Sequence, residues 1–136
     1  MYLKCTLSFF AAIFIFVSTA LSDNHLVSDR STIIDARSAK ELLDRGVMFI
    51  DVRSATSYAN GHIPTAINID VRKEDFVAKF AKTVRTDQEF VFYCRGASCD
   101  RSPYAIHLVF PLGYKKIFYF KDGIPGWREA GFELEK

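Results

Sequence analysis

Cysteine is scarce in this chain, with three in 136 residues, and so are tryptophan, with one, and proline, with four. Three cysteines, one of them near the amino terminus, cannot supply the dense bridging of a secreted disulfide scaffold. No run of five or more like charges occurs, and 18 basic against 16 acidic residues leave a formal net charge of only +2. That balance excludes the basic footprint of a nucleic-acid binder and gives little pull towards an acidic membrane. Internal repeats and low-complexity segments are also missing, so the chain is not an array. What remains suits one compact domain: 49% of residues are apolar, 25% charged and 15% aromatic, the last including 13 Phe and 6 Tyr. Core material is ample for this length.

The first 22 residues differ from the rest. Lys4 is their one charge, followed by the apolar run Leu7 to Val17, the mostly small residues Ser18 to Ser22, and then polar Asp23-Asn24. A positive start, a short apolar centre and a small-x-small exit at Ala20-x-Ser22 read as a secretory signal peptide over residues 1–22. The alternative is an uncleaved membrane anchor, since Leu3 to Leu21 approaches a spanning length. The small residues at the exit favour cleavage. A lipoprotein is disfavoured because Cys5 precedes the apolar run. Cleavage would remove Lys4, so that 18 basic residues become 17 against 16 acidic, and would leave two cysteines, Cys94 and Cys99. The mature protein is therefore expected to be periplasmic or secreted, with no membrane association. Two cysteines in one short loop suggest chemistry, not stapling.

Residues 23–31 are polar and read as a linker ahead of a domain over 32–136. In that domain short apolar runs alternate with helical patterns, which predicts an α/β fold on a parallel sheet. Thr32-Ile33-Ile34 opens it as a strand. Ser38 with Glu41 forms a capping-box pattern for a helix over Ala39–Arg45, closed by Gly46. Val47 to Ile50 is a buried strand that delivers Asp51 at its carboxyl end. Ser54 begins a short helix to about Ala59, Ala66 to Ile69 is a strand, and Asp70 to Val84 reads as largely helical. Glu89 to Tyr93 is the strongest strand and runs straight into Cys94. Ser102-Pro103 has the form of a helix start, with the helix ending near Leu112 before Gly113. Lys116 to Phe120 is the last strand, and a short helix over Ile124–Ala130 surrounds Trp127.

The succession strand, Cys94, small polar loop and helix has a chemical meaning. Ligands of open α/β sheets bind beyond the carboxyl ends of the strands. A helix amino terminus offers inward N–H groups and the positive end of its dipole, and Arg95 and Arg101 add cations. All of these favour thiolate at Cys94, so a lowered pKa is expected. The opposing reading is a buried, inert strand-end cysteine.

Four segments occur in the order seen in rhodanese domains: Ile50-Asp51-Val52-Arg53-Ser54, Gly61-His62-Ile63-Pro64-Thr65-Ala66-Ile67-Asn68, Val91-Phe92-Tyr93-Cys94-Arg95-Gly96, and Lys121 to Trp127. The chain resembles that family over residues 28 to 136. The resemblance implies a rhodanese-like three-layer α/β fold, a five-stranded parallel sheet flanked by helices. It also implies a sulfurtransferase that moves sulfane sulfur from thiosulfate or a persulfide donor to a thiophilic acceptor through a Cys94 persulfide. Carried over by residue, Cys94 is the nucleophile, with Arg95 and Arg101 as the basic catalytic positions. Asp51 and Arg53 match the family's Asp-x-Arg pair; Asp51 is read as orienting the loop through backbone hydrogen bonds, and Ser102 as its helix cap. His62 is read as supporting a turn, and Trp127 as a lid over one end of the core. No cofactor and no metal are required.

The loop departs from the family pattern. Cys94 to Arg101 is Cys-x6-Arg, longer than the common Cys-x4-Arg, so a preference for thiosulfate does not follow. Phosphatases and arsenate reductases of this fold use His-Cys-x5-Arg; Tyr93 replaces the His and the spacing is one too long, which disfavours that chemistry. Cys99 lies inside the loop. Either it is a resolving thiol that closes a disulfide on Cys94, with a thiol reductant protein as partner, or it only lines the loop. A zinc site from Cys94, Cys99 and His107 lacks a fourth ligand, and His107 falls in mid-helix. A sulfur carrier or redox-partner docking module without turnover is the alternative to an enzyme.

Overall fold

A computed structural model of the chain describes Val27 and residues 29–136. The signal peptide expected over 1–22 and part of the linker lie outside the described residues. Five strands form one parallel sheet: β1 (Thr32–Ile34), β2 (Met48–Asp51), β3 (Ile67–Asn68), β4 (Phe90–Tyr93) and β5 (Ile117–Phe120). Their order is β1-β5-β4-β2-β3, with β4 in the middle between β2 and β5. The connecting helices are α1 (Ala36–Asp44), α2 (Ala55–Ala59), α3 (Phe76–Thr83), α4 (Arg101–Val109) and α5 (Gly123–Glu129), with a 3-10 turn at Phe110–Leu112. This is the expected five-stranded α/β architecture.

The sequence of β4 explains its place. All four residues Phe90-Val91-Phe92-Tyr93 are buried, as a parallel strand covered on both faces requires. Side chains alternate across the sheet, and the two cores follow that parity. Phe90, Phe92 and Cys94 join Phe76 and Phe80 of α3 and Ala105, Ile106 and Val109 of α4. Val91 and Tyr93 join Leu42 of α1, Phe49, Phe120 and Trp127 of α5. Helices α3 and α4 thus cover one face, α1 and α5 the other. Trp127 is 1% exposed and donates its indole N–H to Glu133 O at 2.8 Å; it fills the second core and does not lie across the core's end as a lid. Val27, within the segment read as a linker, packs into the first core, and Ser31 donates its hydroxyl to Val27 O.

Several boundaries differ from expectation for identifiable reasons. Helix α1 begins at Ala36, because Asp35 is its cap and accepts from Ser38 N at 2.8 Å; Ser38 and Glu41 form no capping box. Only Phe76–Thr83 of the stretch 70–84 is helical. Asp70 accepts from the backbone of Arg72 at 3.0 Å, a local turn that competes with helix. Helix α4 starts at Arg101, with Asp100 in the cap position and without a side-chain cap bond. The Asp100 carboxylate is drawn instead to Arg72 at 2.6 Å. Ser102 is therefore inside the first turn, not the cap.

Candidate active site

Parity decides what Cys94 faces. As the residue after β4 it continues the Phe90, Phe92 series towards α4, and it is 1% exposed. The N–H and hydroxyl of Ser102, in the first turn of α4, both act on its sulfur in the sense that favours thiolate. The Ser102 hydroxyl is fully buried and has no hydrogen-bond partner of ordinary geometry among the described residues. The expected helix amino terminus is thus beside the sulfur, with Ser102 supplying the donors.

The expected lowering of the Cys94 pKa is not found. Burial, with the neighbouring Cys99 thiol adding to it, outweighs the Ser102 donors and pushes Cys94 up to about 11. Neither guanidinium enters that balance. Arg101 is held by Asp70, Nη1 to Oδ1 at 2.6 Å, with a longer contact to Val52 O. Arg95 is exposed and makes no ion pair among the described residues. The resting sulfur is a protected thiol whose anion-stabilising donors are already in place.

The loop 95–100 folds back on itself through Cys99 N to Gly96 O at 3.0 Å. This turn brings Cys99 over Cys94: the Cys94 sulfur lies 3.9 Å from Cys99 O, and the two thiols interact side chain to side chain. Both cysteines are free and buried. Above them is a cavity of about 110 Å³ lined by Arg53, Ser54, Ser57, Arg95, Cys99 and Arg101. Of its three arginines, Arg53 and Arg101 are ion-paired with Asp51 and Asp70, and Arg95 makes no ion pair among the described residues. Cys99 lines the cavity; Cys94 lies beneath.

The Asp51–Arg53 pair lies on the other parity. Asp51 is directly paired in register with Tyr93, so both face the α1/α5 side. Asp51, fully buried, accepts Arg53 Nη2 at 2.6 Å, Arg53 Nε at 3.0 and 3.1 Å, Arg53 N at 2.9 Å and the Tyr93 hydroxyl at 2.8 Å. Tyr93 in turn accepts from Ile63 N, and Arg53 donates to Gly61 O at 2.7 Å. Only one of the bonds to the Asp51 carboxylate comes from the backbone. Asp51 therefore holds Arg53 and Tyr93, and through Arg53 the Gly61 turn, instead of binding the 95–100 loop directly. Burial and the Asp51 charge both raise the Tyr93 pKa, so the phenol stays protonated. His62 supports the same turn, its Nδ1 3.0 Å from Tyr58 O and its ring stacked on Tyr58.

Three functional partners were not read from the sequence. In the sequence the Tyr93 hydroxyl stands out only as a replacement for His. Asp70, anchor of Arg101, falls in the stretch whose pattern predicts helix; its position just after a strand is the available signal. Gly123, at the start of α5, presses on the Cys94 backbone: a Cβ there would lie 2.2 Å from Cys94 O. Ile124 N also donates to that carbonyl at 3.3 Å. His107 is remote from the cysteines, against Arg30 at 3.3 Å, in a separate groove with Val27 and Tyr104.

Comparison with known proteins adds to this geometry. The family model for the rhodanese-like domain matches residues 35–130. The chain is 35% identical over 106 residues to an HTH-type transcriptional regulator of Mycobacterium tuberculosis, covering 75% of this chain and 45% of the regulator. It spans, then, less than half of that relative's length. It is 28% identical over 96 residues to the thiosulfate sulfurtransferase GlpE of Pseudomonas savastanoi, covering 70% of this chain and 85% of the enzyme. Among solved structures, the BH2092 protein of Bacillus halodurans superposes with a TM-score of 0.68 at 26% identity, over 82% of both chains.

Proposed function

The chain belongs to the rhodanese-like domain family, and from that premise we propose that it is a sulfurtransferase working through a Cys94 persulfide. In this reading the Cys94 thiolate attacks the outer sulfur of thiosulfate, the S–S bond of the donor breaks, and sulfite leaves. The persulfide then hands its outer sulfur to a thiophilic acceptor and Cys94 returns as thiolate. A small persulfide donor would enter the same way. The observation that carries the reading is the position of the Cys94 sulfur. It lies at the carboxyl end of the central strand, against the Ser102 donors at the start of α4, beneath a cavity ringed by Arg53, Arg95 and Arg101. Those arginines suit an anionic donor and a departing sulfite. Sulfurtransferases among the relatives support the same chemistry.

The raised pKa sets a cost on the first step, since at neutral pH little thiolate exists in the resting site. That burial also favours a second reading, a sulfur carrier that holds its load with little turnover. One assay separates the two. The protein is supplied with thiosulfate and cyanide and thiocyanate is followed, alongside Cys94→Ser. Repeated turnovers lost in the variant support the transferase. One sulfur retained per chain without turnover supports the carrier. Thiocyanate formation that survives Cys94→Ser would overturn both.

A further inference from the structure

We propose that Cys99 is a second catalytic residue that attacks the Cys94 persulfide, so that the protein also reduces sulfane sulfur to sulfide. The inference rests on the persulfide reading above and adds a fate for the bound sulfur. It stands on placement. The Cys99 N to Gly96 O turn folds the loop so that Cys99 returns over Cys94. The Cys94 sulfur lies 3.9 Å from Cys99 O, and the two thiols interact side chain to side chain. No other cysteine is among the described residues. Cys99, 5% exposed, lines the arginine cavity on one side and meets Cys94 on the other. A sulfur loaded onto Cys94 therefore forms within reach of a thiol of the same loop, at an effective concentration no external acceptor matches.

The step balances without an outside oxidant. The Cys99 sulfur bonds to Sγ of Cys94, the bond from that Sγ to the outer sulfur breaks, and the outer sulfur leaves as hydrosulfide with the proton from Cys99. The two protein sulfurs are oxidised to a disulfide and the sulfane sulfur is reduced by two electrons. Arg95, which lines the cavity without an ion pair among the described residues, favours departure of the anion. A dithiol reductant then reopens the Cys94–Cys99 disulfide by exchange. The net reaction converts thiosulfate and a dithiol into sulfite, sulfide and a disulfide.

The test is a single turnover. Reduced, reductant-free protein is mixed with thiosulfate, and in parallel with glutathione persulfide; sulfide is measured and intact mass recorded for wild type, Cys99→Ser, Cys99→Ala and Cys94→Ser. Wild type should release about one sulfide per chain and lose two hydrogens. Both Cys99 variants should release none and retain one extra sulfur, and Cys94→Ser should do neither. Two Cys99 variants guard against one that fails to fold. If wild type retains the extra sulfur and releases no sulfide, the role of Cys99 is refuted while the persulfide reading stands. If sulfur loads onto Cys99 in Cys94→Ser, the proposed order is refuted. Cys99 variants that load no sulfur from either donor would refute the persulfide reading and this inference with it.

Discussion

Replacing Gly123 with Ala tests whether the amino terminus of α5 positions the nucleophile. Gly123 has φ +55, and a Cβ there would lie 2.2 Å from Cys94 O and 3.0 Å from Gly96 N. The left-handed conformation costs a non-glycine residue about 1–2 kcal/mol, and relieving the overlap by moving packed backbone costs a further ~1–3 kcal/mol. The sum is about 2–5 kcal/mol. With an unfolding entropy of roughly 2.1 cal/mol/K per residue, a domain of this size loses about 4 °C per kcal/mol, so Tm should fall by about 10–20 °C. Gly131→Ala is the control: its φ is +86 and nothing lies within 4 Å of its Cβ position, so it carries the backbone cost alone. Relieving the overlap moves the Cys94 carbonyl by about 1 Å, and a shift of that size at a reacting group can cost about 10²-fold in rate. Thermal unfolding by circular dichroism and kcat/KM for thiosulfate with cyanide are the measurements. If Gly123→Ala melts no lower than Gly131→Ala and keeps wild-type kcat/KM, then α5 does not hold Cys94 in the way argued.

Other expectations follow from the same contacts. Asp51→Asn removes the charge that the buried Arg53 and the Tyr93 hydroxyl share, and should cost about 3–5 kcal/mol in urea unfolding; a loss below about 1 kcal/mol would show that the pair is not desolvated. Tyr93→Phe removes one hydrogen bond to a carboxylate and should cost about 1.5–3 kcal/mol in the same titration. Arg95→Ala, at an exposed cation facing the cavity, should raise KM for thiosulfate about tenfold through loss of a charged contact, with kcat and Tm near wild type. Alkylation of Cys94 by iodoacetamide in Cys99→Ser should be slower than that of a free thiol near pH 7.5, because burial, the largest cause of the raised pKa, stays when the Cys99 thiol is removed. The rate should rise with pH as the buried thiol ionises and then level off. The stability sign is fixed by the same shift. The folded pKa is the higher one, so the contribution of the buried neutral thiol is complete below about 8.5 and lost as pH rises through about 11.

The sheet was legible because its strands are apolar runs ending at turn residues, and the order of four short motifs gave the family. Strand-then-helix logic put Cys94 near Ser102, Arg95 and Arg101, whereas Arg53 entered only through the motif resemblance and its place in the cavity lining did not show. What did not show was which of several local carboxylates would win. Asp35 took the α1 cap because its carboxylate accepts the backbone N–H of Ser38 itself, which places Ser38 inside the first turn. Asp70 left the helical pattern to bind Arg101. The thiol pKa was misjudged for a related reason. A residue string shows the cations near Cys94 but not that Arg101 is already neutralised by Asp70, nor that Arg95 is exposed, so that burial decides the balance.

Strand parity accounts for the division of labour that results. Asp51 and Tyr93 lie opposite each other in register and face α1 and α5, away from the reactive sulfur, and Arg53 is the member of that network that lines the cavity. Cys94, one residue further, faces α4 and meets neutral donors only. A thiol in that position keeps its proton at rest. A persulfide carries its negative charge on a sulfur about 2.05 Å beyond Sγ. Burial penalises a charge less as it moves outward, while attraction to the cavity arginines grows. Under the proposed function, the geometry that makes the empty site a poor nucleophile would favour the anion once Cys94 is loaded, which is the order of stabilities a sulfur-accepting cysteine requires.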